Sequence, residues 1–511
     1  MSLHHLAEGH IDGAKLITGE VSLNDVPQAF ADLADPERHV KIPVRPTLQY
    51  RPKVAASHSN LNLPSSKRLS SNRPLSSAVS VHMVLFNSMK YRRRIVDQEI
   101  DELLHGLPAI ALEGPKAVGK TATAMQRAET VHQLDDPGQL EVFHAAPNRL
   151  IAGDPPVLID EWQRFPASWD LVRRAVDDDP APARFLLTGS ASPSSAPTHS
   201  GAGRIVTVRM RPLSLAERGL AEPSVSIASL LSGQRAPVEG VSTVGLATYT
   251  EEIVASGFPA IRESTGRVLR AQLDGYLDRI VEHDFPEAGL RIRNPAALRR
   301  WMAAYAAASS TTASYETIRD ASSAGENDKP AKTTTGPYRT TLEQLWMIEE
   351  VPAWVPSRNH LRRLASAPVH QLADPALAAR LLGVGVDALL EGQSSGPPVP
   401  RDGTLLGALF ESLVTLSVRT YAQANEARVR HLRTRGGEHE IDLIIERNDG
   451  KVLAIEVKLK ATVDDSDLRH LKWLEKTIGP DLLDAAVLTT GTDAYRRPDG
   501  IAIIPAALLT A

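Results

Sequence analysis

The chain of 511 residues contains no cysteine. Disulfides, thiolate zinc sites and cysteine nucleophiles are therefore excluded. It also lacks any excess of positive charge: 57 Lys and Arg stand against 61 Asp and Glu, a formal net charge of −4. That rules out a generally basic nucleic-acid coat, while leaving room for a local basic surface. No apolar run approaches the length of a membrane span, and the N-terminus lacks the pattern of a signal peptide. The 16 histidines fall into no metal spacing such as H-E-x-x-H, and His4-His5 reads as exposed chain. The expectation is a soluble, cytoplasmic chain without a membrane partner, long enough for three or four domains.

What the chain does contain is a complete G-x-x-x-x-G-K-T phosphate loop: Gly114, Pro115, Lys116, Ala117, Val118, Gly119, Lys120 and Thr121. It follows the apolar run Ala109–Leu112, expected as a buried strand, and precedes a helix-favouring run over 122–129. Small residues let the backbone curl so that its N–H groups face a β-phosphate at the positive end of a helix. Lys120 then reaches the β/γ-phosphates of ATP, and the Thr121 hydroxyl ligates Mg²⁺. Downstream, the apolar run 156–159 ends in Asp160-Glu161. Such an ending is weak by itself and strong after a phosphate loop. Asp160 would hold Mg²⁺ through water, and Glu161 would orient or deprotonate the attacking water. A third strand, 184–190, ends in Thr188 and Ser190. Their hydroxyls either sense the γ-phosphate from between the two motifs or mark an ordinary turn.

Residues 1–88 look foreign to the remainder of the chain. Ile11-Asp12, Leu16-Ile17-Thr18, the helix-like 26–33 and the closing strand 40–44 resemble the extreme C-terminus of a medium-chain, zinc-type alcohol dehydrogenase over residues 6–46. No cofactor glycine fingerprint and no zinc ligand set accompany them, so no dehydrogenase activity is expected. The stretch reads as a fusion remnant or an over-extended start, with Met83 or Met89 as a natural first residue, or else as an oligomerisation strand. Residues 47–88 read as a disordered linker rich in Ser, Asn, Pro, Lys and Arg. The basic cluster 90–94 opens an amphipathic helix ending at Leu104 and is taken as a solvated helix end.

The order GPKAVGKT, VLIDEWQRFP, FLLTGSAS, GAGR, RMRPLSLAE, then Ser256-Gly-Phe-Pro259, 276–284, EIDLII and AIEVK resembles the AAA+-like ATPases of bacteria and archaea that carry a C-terminal domain of unknown function. One departure is Lys116, where many members have arginine, a change compatible with phosphate binding. The resemblance makes Arg204 a candidate γ-phosphate arginine, within or between subunits, or else a structural surface residue. It allows an oligomer without requiring one.

Beyond the ATPase core, residues 216–300 read as a helical lid. Residues 305–354 fit either a winged helix, with the polar loop 333–339 offering hydroxyls and Arg339 to DNA, or a helical spacer. A second constellation lies nearer the C-terminus. A helical run from Gly407 carries Glu411, and two β-like runs, 440–446 and 452–458, flank Asn448-Asp449-Gly450, a hairpin signal. Period two puts Glu456 and Lys458 on one face, with Asp442 near the facing strand. This resembles the D…E-x-K core of the restriction-endonuclease-like (PD-(D/E)XK) fold. The resemblance implies Mg²⁺ held by Asp442, Glu456 and Glu411, with Lys458 activating water or stabilising a phosphodiester. Alternatively, the strand face carries an ordinary Glu–Lys pair.

The expected fold is α/β: a P-loop NTPase (AAA+-like) core over 89–215, a helical lid over 216–300, a winged helix or spacer over 301–360 and a restriction-endonuclease-like α/β domain over 361–511. The expected function is Mg²⁺-dependent ATP hydrolysis coupled to DNA. The alternative is a nucleotide-dependent switch or partner-binding protein with an inactive nuclease-like module.

Overall fold

The computed structural model describes residues 21–22, 44–45, 91–189, 201–323, 332–356, 366–391, 404–434 and 436–511. The chain divides into two compact units, Met1–Leu85 and Phe86–Ala511. In the first, β1 (Val21–Ser22) pairs in parallel with β2 (Val44–Arg45). The rest of the dehydrogenase-like stretch, the expected linker and Lys90 lie outside the described residues, as do Ser190 and residues 392–403.

In the second unit, β3 (Ala109–Glu113), β4 (Thr130–Gln133), β5 (Val157–Asp160), β6 (Phe185–Gly189) and β7 (Ile205–Arg209) form a parallel sheet in the order β4-β5-β6-β3-β7. Strands buried on both faces read as continuous apolar runs. In β3, Ile110 and Leu112 pack towards the helix Val96–Leu104, while Ala109 and Ala111 face Trp162, Trp169 and Val172. Because β6 lies between β3 and β5, the carboxyl ends of the three strands form one row, which is where parallel sheets bind ligands. The helix after the phosphate loop covers only Lys120–Met125, shorter than the expected 122–129. Arg127 closes it by donating to the carbonyls of Thr123 and Asp97, and the Glu129 amide turns to Pro156 O, so the chain enters β4 at once.

The stretch 216–300 is not wholly helical. After Ser214, which caps the helix Leu215–Arg218, come β8 (Val225–Ser226) and β9 (Gly240–Val241). They pair with β17 (Leu509–Thr510) and β15 (Asp493–Arg496) at the far end of the chain. Two-residue strands carry no alternation to read; they form because distant partners offer an edge. The helices Leu246–Ala255, Gly266–Arg279 and Pro295–Ala307 come next, and Pro375–Leu381, expected in the C-terminal domain, packs on the first and third of these.

Two further helices, Tyr315–Ala321 and Lys332–Gln344, precede an antiparallel pairing of Ile348 with Leu372 and Val351 with Val369. The polar stretch 333–339 is helix, not loop, even with Pro337 inside it. Thr335, Tyr338, Thr341 and Leu342 recur at helical spacing on its buried side, and Tyr338 packs edge-on to Trp301 and Phe285. Burial of that face overrides the turn-forming composition.

The C-terminal sheet is mixed and eight-stranded, adding β10 (Ala353–Trp354), β11 (Arg428–Arg433), β12 (Glu440–Glu446), β13 (Val452–Val457), β14 (Leu482–Thr489) and β16 (Ala502–Pro505) to β15 and β9. The hairpin expected at Asn448–Gly450 joins β12 to β13, with Gly450 at φ +83°. Leu453 and Ile455 share a core with the helix Thr404–Ala424; Val452 and Ala454 pack with Leu471 and Leu474 of the helix Arg469–Ile478.

Arg94 and Glu217 tie the first helix to this frame. Both are buried, and Glu217 accepts from Arg94 Nε at 2.9 Å and from the amides of Ile95 and Ser214 at 2.8 Å each. Breaking a buried pair from one side leaves the other charge uncompensated. Glu217→Ala is expected to lose about 3–5 kcal/mol, read as a lowered urea-unfolding midpoint, whereas Arg93→Ala on the exposed side of the cluster leaves the midpoint in place.

Candidate nucleotide site and a second acidic site

The phosphate loop connects β3 to the helix Lys120–Met125 through backbone that only small residues tolerate. Gly114 lies at φ +154° and Gly119 at φ +103°, with Ala117 also left-handed at φ +64°. A Cβ on Gly114 would sit 2.2 Å from the carbonyl oxygen of Met210, the residue just after β7. Pro259 of the Ser256–Pro259 motif is among the nearest groups to Gly119, at 3.9 Å from a Cβ placed there.

Lys120 is buried and donates to the carbonyls of Gly114 (2.9 Å) and Pro115 (2.8 Å). Burial pushes its ammonium down to about 8, against the pull of Glu161 and Asp160. Thr121 Oγ1 donates to Asp160 Oδ1 at 2.7 Å, and Thr188 Oγ1 donates to the same oxygen. The register that sets Asp160 opposite Thr188 and Thr188 opposite Leu112 makes this convergence. Burial holds the Asp160 carboxyl above its ordinary range while both hydroxyls oppose the shift. Glu161 comes next in a left-handed conformation, φ +55°, and accepts from Gln163 Nε2. Burial, then the charge of Asp160, raises it too. A hydroxyl and a carboxylate at the mouth of a phosphate-binding loop are hard oxygen donors that fit Mg²⁺.

Two groups that spacing did not single out, Arg94 and Tyr91, complete the surroundings with Lys116 of the loop. Arg94 NH1 donates to Val118 O inside the loop (2.9 Å) and NH2 to Arg211 O (2.7 Å), so the basic cluster is not simply a solvated helix end. Its partner Glu217 lies far along the chain, which is why no local pattern betrays it. Tyr91 hydrogen-bonds Asp97 and Thr123 on the loop's helix. Lys116 reaches the helical segment beyond Gly266–Arg279, pairing with Asp284 (2.6 Å) and Glu287 (3.3 Å), and Tyr276 donates to its carbonyl. Arg204 is placed elsewhere. It immediately precedes β7, at the end of the sheet opposite the loop, and pairs with Asp177 at 2.8 Å. Within one chain Arg204 therefore stands away from the phosphate loop.

At the second site, Asp442 Oδ2 accepts from the Val457 amide at 2.7 Å, and Lys458 Nζ pairs with Glu456 Oε2 at 2.9 Å. Glu456 is buried, and among the described residues no group donates to its Oε1. Burial, then the charge of Asp442, holds the carboxyls of Glu456 and Glu411 well above the ordinary range. Burial works against the Lys458 charge, but Glu456 and Asp442 keep its ammonium above its usual value. Among the described residues no three His, Asp or Glu side chains are gathered closely enough to cage a metal ion. The structure therefore brings Asp442, Glu456 and Lys458 together without closing a three-carboxylate shell around Glu411. His439 and His470 stand nearby, their Nδ1 atoms 3.3 Å apart, with His439 stacked on Trp473. Arg339 is paired with Glu343 (2.7 Å) and lies over the Tyr315 ring, with its side chain part-exposed.

Comparison with known proteins agrees with the first site. Residues 107–218 match an AAA domain family, and 246–388 and 406–509 match two families described only as domains of unknown function, DUF8612 and DUF4143. Two uncharacterized proteins, of Mycobacterium bovis and Mycobacterium tuberculosis, are each 24% identical over 437 residues, covering 84% of this chain and 87% of the relative. The Walker-type ATPase PABY2304 of Pyrococcus abyssi is similar over 58% of this chain and 99% of its own, at 17% identity and a TM-score of 0.34, too weak a likeness to bear on the fold. Residues 107–218 are thus similar to an AAA-type, P-loop domain. Among the described residues no helix is long and apolar enough to cross a membrane.

Gly114→Ala forces its new methyl group into Met210 O and is expected to destabilise the domain by about 1–3 kcal/mol, read as a fall in unfolding temperature. Gly106→Ala, with nothing within 4 Å of the added carbon, serves as the neutral control.

Proposed function

We propose that the chain binds and hydrolyses ATP and that its nucleotide state governs DNA binding or processing by the C-terminal domain. The observation carrying this is the convergence of the Thr121 and Thr188 hydroxyls on Asp160 at the mouth of the phosphate loop. Loop amides and Lys120 bind the β- and γ-phosphates; Lys120 exchanges its two carbonyl acceptors for phosphate oxygens. Thr121 and Asp160 would hold Mg²⁺, which neutralises charge developing on the transferred phosphoryl group. Glu161 orients the attacking water and takes its proton; a carboxyl raised by burial suits that work.

For the C-terminal domain the reading is a restriction-endonuclease-like module that meets DNA. Its support is the hairpin that seats Asp442, Glu456 and Lys458 together and the buried Glu456 Oε1, without a donor among the described residues, which suits a cation. Lys458 would stabilise charge on a phosphodiester. The helix Lys332–Gln344 exposes Thr333, Thr334 and Thr340 in the helix–helix–hairpin order of a winged helix, with hydroxyls that suit phosphate contacts. A second reading makes the module a binding element only, within a nucleotide-dependent switch. The absence of a three-carboxylate cage among the described residues favours it.

ATP turnover measured with and without DNA tests the whole. Lys120→Ala is expected to abolish nucleotide binding. Glu161→Gln is expected to bind ATP but to turn over about 10²–10⁴-fold more slowly. Wild-type binding that survives Lys120→Ala unchanged would overturn the site. Mg²⁺-dependent nicking of plasmid DNA, lost in Lys458→Ala, distinguishes an active module. No nicking by wild type with ATPase intact establishes the binding-only reading.

A further inference from the structure

The helix Thr404–Ala424 runs between the acidic site and the frame of the phosphate loop. The helix packs against β12, the strand of Asp442, and its N-terminal half carries Glu411, which lies within reach of the charges of Asp442 and Glu456. Its C-terminal half is fastened to the frame of the phosphate loop by two lines of polar contacts.

The first line starts at Val118 O, held by Arg94 NH1 at 2.9 Å, and passes through the buried Arg94–Glu217 pair to the turn that Ser214 and Glu217 cap. The next two amides of that turn, Leu215 N and Ala216 N, donate to Ser417 Oγ (3.0 Å) and Tyr421 OH (2.9 Å) on the long helix. The second line starts at Glu113, immediately before Gly114, which pairs in register with Arg209 of β7. Arg209 NH2 meets Glu349 Oε2 at 3.0 Å, and Glu349 also takes Arg211 at 2.6 Å. Arg419 of the long helix closes the line through Glu349, donating to its backbone carbonyl at 2.7 Å. Three guanidinium groups from two parts of the chain thus gather at one glutamate, so a shift of any one repositions the others.

These fastenings are largely withdrawn from solvent, and packed interiors transmit displacement rather than absorb it. The helix is unbroken over the two turns between Glu411 and Arg419, about 12 Å at 1.5 Å per residue. Nucleotide must move Lys120 off the loop's own carbonyls, and the loop it rearranges is the one Arg94 grips.

We propose that the helix Thr404–Ala424 is a coupling strut, through which nucleotide in the phosphate loop repositions Glu411 against Asp442 and Glu456. This rests on the ATP reading above and names its regulatory route. By linkage, a ligand at the acidic site changes nucleotide affinity by the same factor that nucleotide changes its own.

Hydrogen exchange on the full chain, with and without a non-hydrolysable ATP analogue and Mg²⁺, tests it. Wild type is expected to slow exchange at 114–125 and, by about fivefold or more, at 404–416 and 440–458. The double variant Tyr421→Phe/Arg419→Lys, which removes a hydroxyl and a guanidinium but keeps ring and charge, is expected to retain the response at 114–125 and lose the distal one. Tyr421→Phe alone, which leaves the Ala216 amide without its acceptor, is expected to halve the distal response while retaining the response at 114–125 and a cooperative unfolding transition, and guards against a folding defect in the double variant. A wild-type response confined to 114–125, or a distal response undiminished in the double variant, overturns the strut while leaving the ATP site standing. No response at 114–125 overturns the ATP reading itself, and the strut with it.

Discussion

A single buried guanidinium organises this molecule. Arg94 grips the phosphate loop at Val118 O, the chain after β7 at Arg211 O, and the Glu217 carboxylate. A charge withdrawn from water in this way persists only where its donors are used, because the desolvation cost is recovered through hydrogen bonding and a partner charge. The loop, the edge of the parallel sheet and the capped turn 214–218 are therefore committed to one arrangement. That turn in turn donates two amides to the helix Thr404–Ala424, which carries the commitment into the C-terminal domain.

Around that anchor, the parallel sheet supplies direction and the loop supplies charge complementarity. Placing β6 between β3 and β5 puts Thr188 against Asp160 and leaves Thr121 to approach from the loop side. Two neutral donors on one carboxylate oxygen keep a buried acid in a defined rotamer without neutralising it. Glu161 is left beside it in a strained left-handed conformation. Strain of that kind persists where surrounding structure over-determines a residue, and it recurs at sites of chemistry.

The acidic site of the C-terminal domain obeys a different logic. Asp442 and Glu456 meet beside Lys458 without a third carboxylate closing the group, and burial, then the charge of Asp442, favours the protonated forms of Glu456 and Glu411. Such a cluster is costly unless a ligand or proton compensates it. The hydrogen bond from the Val457 amide to Asp442 commits one carboxylate oxygen to holding the hairpin's end.

Much was legible in the residues alone. The eight residues Gly114–Thr121 specify their own backbone, since glycine, small residues and a following helix leave few alternatives. The runs at Ala109–Glu113 and Val157–Asp160 are apolar enough to be buried strands wherever they occur, and the Asp-Gly turn at 449–450 dictates a hairpin locally. All of these depend on neighbours within a few positions. What only the tertiary structure decided depends on partners far away in sequence. Glu217 makes Arg94 a buried loop clamp instead of a solvated helix end, and the ends of β15 and β17 make strands of Gly240–Val241 and Val225–Ser226. A buried face turns the threonines and proline of 333–340 into helix, and the direction of β7 carries Arg204 away from the phosphate loop. Local sequence sets what a segment prefers; burial, and the requirement that buried polar groups find partners, sets what it becomes.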